Sequence, residues 1–227
     1  MTRPNQTLPK ALVFGAFLLL LLAVQSVSGQ QRWSIGPRVG ANISNQMGDL
    51  PAEADVKWLA GWSVGGFIMY SDINHFGISA DVLYSQKGVR LENVAAGTAR
   101  ARYTSRVNYL EVPILARYFL TLSGNFRPNF FIGPSVAFRL NAKRKDYTVG
   151  TTEQPERDVT DLYRPADLGL VGGIALNFEV AKGKRVLFDA RYTYGLADVT
   201  LGAGSIRNSA VTLNLSYGFG IGKKYSR

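Results

Sequence analysis

Between residues 33 and 221 the sequence is a succession of short segments in which apolar and polar side chains alternate with period two. No apolar run of roughly eighteen residues, the least a membrane helix needs, occurs in that stretch. Period two is the repeat of a strand whose two faces meet different surroundings. Eight segments read as strands: 33–42, 58–70, 76–87, 103–119, 129–140, 166–180, 185–195 and 208–221. The connections alternate in length. Residues 43–57, 88–102, 141–165 and 196–207 form long ones, and 71–75, 120–128 and 181–184 form short ones. Short turns on one rim and long loops on the other are the habit of a transmembrane β-barrel, so the alternation predicts an all-β, eight-stranded, antiparallel up-and-down barrel.

A soluble lipocalin-like barrel alternates too, with the opposite sense. The lysines separate the two. Lys57, Lys87, Lys143, Lys145, Lys182, Lys184, Lys223 and Lys224 all fall in expected loops, turns or strand ends, whereas a water-facing strand carries lysine in its middle. The polar face is instead rich in Gly and Ser, which suits a narrow lumen. Its charges are of both signs: Arg38, Arg117, Arg139 and Arg191 against Asp81, Glu111, Asp167, Glu179 and Asp189. Unpaired they would be costly to bury, so a polar network filling the lumen is expected, rather than a pore for ions or very small solutes. Aromatic residues gather at the two ends of the apolar face. Tyr70, Phe76, Tyr118, Phe130, Phe178, Phe188 and Phe219 lie toward the short turns, and Trp58, Trp62, Tyr84 and Tyr194 toward the long loops. Pro113 and Pro134 interrupt two strands, and each predicts a bulge.

Ahead of this region stand Arg3 and Lys10, an apolar run from Ala11 to Val24, and small residues at Val27, Ser28 and Gly29. That pattern predicts a cleaved secretory signal peptide over 1–29 and a barrel domain over 30–227. The address expected is the cell outer membrane, with both termini in the periplasm because the strand count is even. Loss of Arg3 and Lys10 lowers the formal charge from +10 to +8. For an exported chain the anionic partner implied is lipopolysaccharide among the outer-membrane lipids, not nucleic acid. Arg90, Arg100, Arg102 and Arg106 in the second long loop, and Lys143, Arg144 and Lys145 in the third, are the candidate phosphate contacts.

No catalytic set is apparent. A hydrolase of the outer rim needs a general base there, and the one histidine, His75, falls in a short turn on the opposite rim. With one His and no Cys, neither a metal site nor a thiol nucleophile is expected, and no cofactor is implied. Gly36 with Gly40, Gly65-Gly66 and Gly172-Gly173 are not phosphate loops, because they lie within strands and no helix follows.

Three blocks resemble the PorT-like outer-membrane β-barrel family. They are Gly36-Pro37-Arg38-Val39-Gly40-Ala41-Asn42, Tyr109-Leu110-Glu111-Val112-Pro113-Ile114-Leu115-Ala116-Arg117-Tyr118, and Asp189-Ala190-Arg191-Tyr192-Thr193-Tyr194-Gly195-Leu196. The resemblance implies an eight-stranded outer-membrane barrel, makes Pro113 a family feature and implies no reaction. It adds a secretion component to the candidate protein partners of the long loops, beside surface ligands.

Overall fold

The computed structural model describes residues 33–51, 53–72, 74–96, 99–122, 124–148, 155–202 and 204–221. The expected signal peptide lies outside them. The strands are β1 (Trp33–Gly48), β2 (Asp55–Lys57), β3 (Leu59–Ser71), β4 (Phe76–Ala96), β5 (Ala99–Phe119), β6 (Asn129–Thr148), β7 (Arg157–Asp158), β8 (Ala166–Ala181), β9 (Lys184–Gly195) and β10 (Ile206–Ile221). Eight of them, β1, β3, β4, β5, β6, β8, β9 and β10, form an antiparallel ring in which each pairs with the next along the chain. β10 returns to β1 along a ladder running from Trp33 opposite Ile221 to Gly48 opposite Ile206. β2 pairs with β4 beyond the end of β3, and β7 pairs with β6 beyond β8. The ring is therefore the up-and-down barrel expected from the alternation.

The two faces are inverted relative to a water-soluble protein. Arg38 and Asp81 in the lumen are 1% and 0% exposed, while Phe76 and Leu213 outside are 65% and 61% exposed. Apolar surface on that scale needs a covering of lipid, which removes the soluble lipocalin-like alternative. Along β5 the outward apolar residues run from Leu110 through Ile114 to Tyr118. Eight intervals of about 3.4 Å, tilted by about 40°, give roughly 21 Å between the end Cα atoms, close to the roughly 25 Å apolar band of such barrels. Rings meet along the turn-end edge: Trp33 with Tyr70 at 5.1 Å, Phe76 with Tyr118 at 5.4 Å and Phe126 with Phe178 at 4.9 Å. At the loop-end edge Trp62 meets Tyr84 at 4.9 Å.

Four strands run farther toward the loop end than expected. β1 continues to Gly48, β4 and β5 form a hairpin reaching Ala96 and Ala99, and β6 continues to Thr148. Most of 88–102 and the start of 141–165 are thus strand, not loop. Alternation persists there with its sense reversed: Val89, Leu91 and Val107 are buried inside, and Arg90, Arg102 and Arg106 face out. The reversal marks where lipid outside gives way to water. Lys87, expected at a strand end, is consequently a buried mid-strand residue of the lumen.

The expected bulges at Pro113 and Pro134 are absent. Pro113 lies opposite Ser135 and Ala116 opposite Ile132, one register throughout. Proline's fixed φ is compatible with extended backbone, so these residues remove hydrogen bonds without shifting the strands. The shift instead falls where Asn108 faces Asn141 and Tyr109 faces Arg139, which leaves Leu140 as an extra residue of β6. A second falls between Leu91 and Val94, around Asn93, whose φ is 60°.

Candidate functional site

Two regions carry the chemistry, the lumen and the loop-end surface. In the lumen, β1, β4, β9 and β10 bring Arg38, Asp81, Asp189, Arg191, Asn214 and Ser216 together. The Arg38 guanidinium donates to Asp81, and its Nε donates to Ser216 Oγ at 2.8 Å. Arg191 donates to Asp81 Oδ2 at 3.0 Å and to Asp189 Oδ1 at 2.9 Å, and Asn214 donates to the same Asp189 oxygen at 2.8 Å. Arg38 also lies 3.5 Å from Asp189. Arg117 donates to Ser79 at 2.8 Å and to Asn129 at 2.9 Å, with its guanidinium 4.7 Å from the centre of the Phe131 ring.

Nearer the loop end Lys87 pairs with Glu111 at 3.0 Å, and Ser135 donates to Glu111 at 3.2 Å. Asn208 donates to Asp167 at 2.8 Å and to the Tyr109 hydroxyl at 3.1 Å. Among the described residues, the buried charges are Arg38, Lys87, Arg117 and Arg191 against Asp81, Glu111, Asp167 and Asp189. Opposite charges balance in equal number. The placement of the charges differs from the expected set at three residues. Lys87 is among the buried charges; Glu179 pairs instead with Arg185 at 2.7 Å near the turn end; and Arg139 is half-buried above, opposite Tyr109. Lys87 escapes the sequence pattern because loop-like composition begins at Gly88, the next residue.

Apolar clusters lie in the lumen on either side of these charges. At the loop end Tyr163 and Val199 reach inward from two connections and pack on Val107, Tyr109, Ala137 and Ala142, with the Tyr163 hydroxyl 2.6 Å from Ser105 Oγ. The two connections also bond to each other, Arg164 N–H to the Val199 carbonyl at 2.8 Å and Leu201 N–H to the Leu162 carbonyl at 3.0 Å. At the turn end Phe67, Met69, Phe119 and Leu187 pack together, with the Arg127 guanidinium 4.3 Å from the Phe119 ring centre.

The basic residues expected on loops lie on strands. Arg90 on β4, Arg106 on β5, and Lys143 and Lys145 on β6 line one outward depression with Thr104 and Glu156. Arg102 lies farther out, 4.0 Å from Glu92. Arg144 belongs to the other face of β6, bonded to Asp146 at 2.6 Å and stacked 3.9 Å from the Tyr103 ring centre. Burial acts to raise the Asp146 carboxyl, but hydrogen bonds from Arg157 and Arg144 outweigh it and hold the group below its ordinary range. Arg100 pairs through its backbone with Ala95; its side chain lies outside the described residues. His75 sits in the turn before β4, its Nδ1 bonded to the Phe119 carbonyl and its ring stacked on Tyr118 at 5.2 Å.

Comparison with known proteins gives a family match. The family described as outer membrane protein beta-barrel domain matches residues 24–201. No curated protein matches the sequence. Similar solved structures include Neisserial surface protein A, at 13% identity and TM-score 0.45 over 83% of this chain and 97% of that one. The outer membrane protein OprG of Pseudomonas aeruginosa is similar at 12% identity and TM-score 0.46 over 87% and 100%. The outer membrane protease OmpT of Escherichia coli is similar at 9% identity and TM-score 0.44 over 83% and 96%. Likeness at that level bears on no activity.

Proposed function

The chain belongs to the outer membrane protein beta-barrel domain family, and from that premise we propose that it is a non-enzymatic, non-conducting barrel that binds a partner or surface ligand at its loop end. In this reading the loop end is extracellular and both termini are periplasmic, since β1 begins and β10 ends at the turn end. The observation that carries the reading is the set of buried charges and rings that point into the lumen. Ion pairs among Arg38, Arg191, Asp81 and Asp189 occupy its middle, and the clusters around Tyr163 and Phe119 pack above and below them. An eight-stranded barrel leaves little interior beyond what side chains occupy. The lumen also absorbs the family-like blocks. Arg38, Glu111, Arg117, Asp189 and Arg191 all point into it, so the residues of the PorT-like resemblance serve the interior, and partner choice falls to the loop end. A secretion component and a cell-surface ligand are the two partner classes consistent with that geometry. His75, engaged with the Phe119 carbonyl at the turn end, supplies no base to a loop-end reaction.

Planar bilayers test the reading. Purified protein should give no unitary current steps above baseline at neutral pH, and Tyr163→Ala should give none either, because the ion network below it remains. Ohmic steps whose size changes in Asp81→Asn would make the protein a narrow ion pore.

A further inference from the structure

The outer surface of β4, β5 and β6 changes character row by row toward the loop end. Tyr84, Leu110 and Phe138 stand side by side in one ladder row. The next row is Gln86, Asn108 and Asn141, joined by amide hydrogen bonds of 3.2 and 2.7 Å. Gly88, Arg106 and Lys143 follow, and then Arg90, Thr104 and Lys145, with Lys57 of β2 across the ladder from Arg90. Rows are about 6.7 Å apart along a strand, or about 5 Å in height at a tilt near 40°. The cations therefore begin about 10 Å above the last apolar row, where long side chains can bend down into a headgroup layer about 5 to 8 Å thick.

This face is an assembled feature. The extra residue Leu140 puts Ala142 inside and turns Lys143 and Lys145 outward, onto the side where Arg90 and Arg106 lie. Directly opposed like charges, such as Arg106 and Lys143, destabilise a sheet unless an anion lies between them. The depression they line has a volume of about 220 Å³ and contains one carboxylate, Glu156, which lies 3.2 Å from Lys143. Asp158 stands across the ladder from Lys143 on the other side. Both acids sit at the β6 edge, leaving the Arg90 and Arg106 side basic.

We propose that this face holds the phosphorylated headgroup of lipopolysaccharide in the adjoining leaflet, with Arg90, Arg106, Lys143 and Lys145 donating to its phosphates. The sideways aspect, level with the membrane surface, favours a lipid over a soluble polyanion, which would approach from the loop tips. Four cations over two rows suit a headgroup bearing more than one phosphate, which phosphatidylethanolamine and phosphatidylglycerol lack. Arginine forks supply bidentate, charge-assisted bonds to phosphate oxygens. The inference rests on the loop end being extracellular.

The test uses the full chain folded in phosphatidylcholine bilayers, with the unfolding midpoint followed by the mobility shift of unheated and heated samples. Lipopolysaccharide should raise the wild-type midpoint by roughly 5 °C at saturation, since a ligand of the folded state alone stabilises it. The double variant Arg90→Gln with Arg106→Gln should fold, show a midpoint no lower than wild type in pure phosphatidylcholine, and gain at most a fifth of that shift. An equal gain in both proteins overturns the site. An equal gain from phosphatidylglycerol overturns the lipid assigned, and an equal gain from inorganic phosphate reduces the face to a general anion site. A single Thr200→Cys, in a chain with no other cysteine, reports orientation separately. Labelling by an impermeant maleimide in intact cells keeps the loop end outside whatever the lipid result. Failure to label, with a free thiol shown after lysis, overturns the orientation and the lipopolysaccharide assignment together.

Discussion

Gly173 lacks a side chain where there is no room for one: a Cβ there would lie 2.2 Å from the Ala190 carbonyl oxygen on β9 and 2.6 Å from the Phe131 ring. On that ring stack the guanidiniums of Arg117 at 4.7 Å and Arg191 at 5.5 Å, so a glycine on β8 sets the level of two cations from β5 and β9. Gly40 does the same for Asn214 and Ser63, whose polar atoms would lie 2.2 and 2.6 Å from a Cβ. The inward position of these charges was legible in the sequence, because Arg38, Asp81, Glu111, Arg117, Asp167, Asp189 and Arg191 all fall on the polar phase of their strands. Their partners were not: Arg38 and Asp81 are 43 residues apart, and no local pattern says which carboxylate meets which guanidinium. Lys87 and Glu111 give a prediction at this scale. Removing one member of a buried pair leaves the other uncompensated, so Lys87→Met should cost about 3–5 kcal/mol. Adding Glu111→Gln should recover at least half of that loss. Urea unfolding of the two singles and the double in lipid vesicles measures the coupling; additive losses would mean that the ion pair contributes nothing.

At the scale of elements, strand ends at the turn side were legible to within a residue or so. Trp33, Phe76, Phe119, Asn129 and Ile221 bound their strands as the alternation predicts. On the loop side the ends of β1, β4, β5 and β6 were misjudged. Above the lipid a strand keeps its period but exchanges its faces, and the polar outward residues Arg90, Arg102, Arg106 and Lys143 imitate loop composition. The connection between β9 and β10 is ordered by Asp198, whose carboxylate accepts the backbone N–H of Ile206 at 3.0 Å and of Thr200 at 3.2 Å. Ile206 foremost, then Thr200 and Arg164, hold that carboxyl below its ordinary range. A folded value below the unfolded one, about 3.9, stabilises the connection above that pH, and the stabilisation is lost as pH falls through the folded value. Amide exchange at Ile206 and Thr200, corrected for intrinsic rates, should therefore accelerate on acidification from pH 5 to pH 3. Asp198→Asn should remove most of that pH dependence; an unchanged profile would deny the carboxylate its part.

For the whole molecule, closure is what makes the inverted faces tolerable. β10 bonded to β1 leaves no ladder edge within the apolar band, so each membrane strand pairs with a neighbour on both sides. The cost of a charge on the outer face should then depend on height in the band and not on local packing. Leu215 is near the middle of the apolar positions of β10, and Phe219 is near its turn-end edge. Leu215→Arg should destabilise by about 2–4 kcal/mol and Phe219→Arg by about 0–1 kcal/mol. Unfolding midpoints in phosphatidylcholine vesicles measure both, and the reverse order would place the lipid band elsewhere on the barrel.

By itself the sequence determined that there are eight membrane strands, which face of each meets lipid, and that Arg38, Asp81, Glu111, Arg117, Asp167, Asp189 and Arg191 lie on the inward phase. All three follow from a two-residue repeat, and that repeat is local: it is imposed by the pleat and needs no knowledge of neighbours. Tertiary structure alone decided that Lys87 lies inside, that Arg106 stands opposite Lys143, and that Lys57, Arg90 and Lys145 share a row. Such relations depend on the register between strands and on one extra residue at Leu140. Register is set by hydrogen bonds and packing between segments far apart in the chain, and a slip of one residue sends every side chain beyond it to the opposite face.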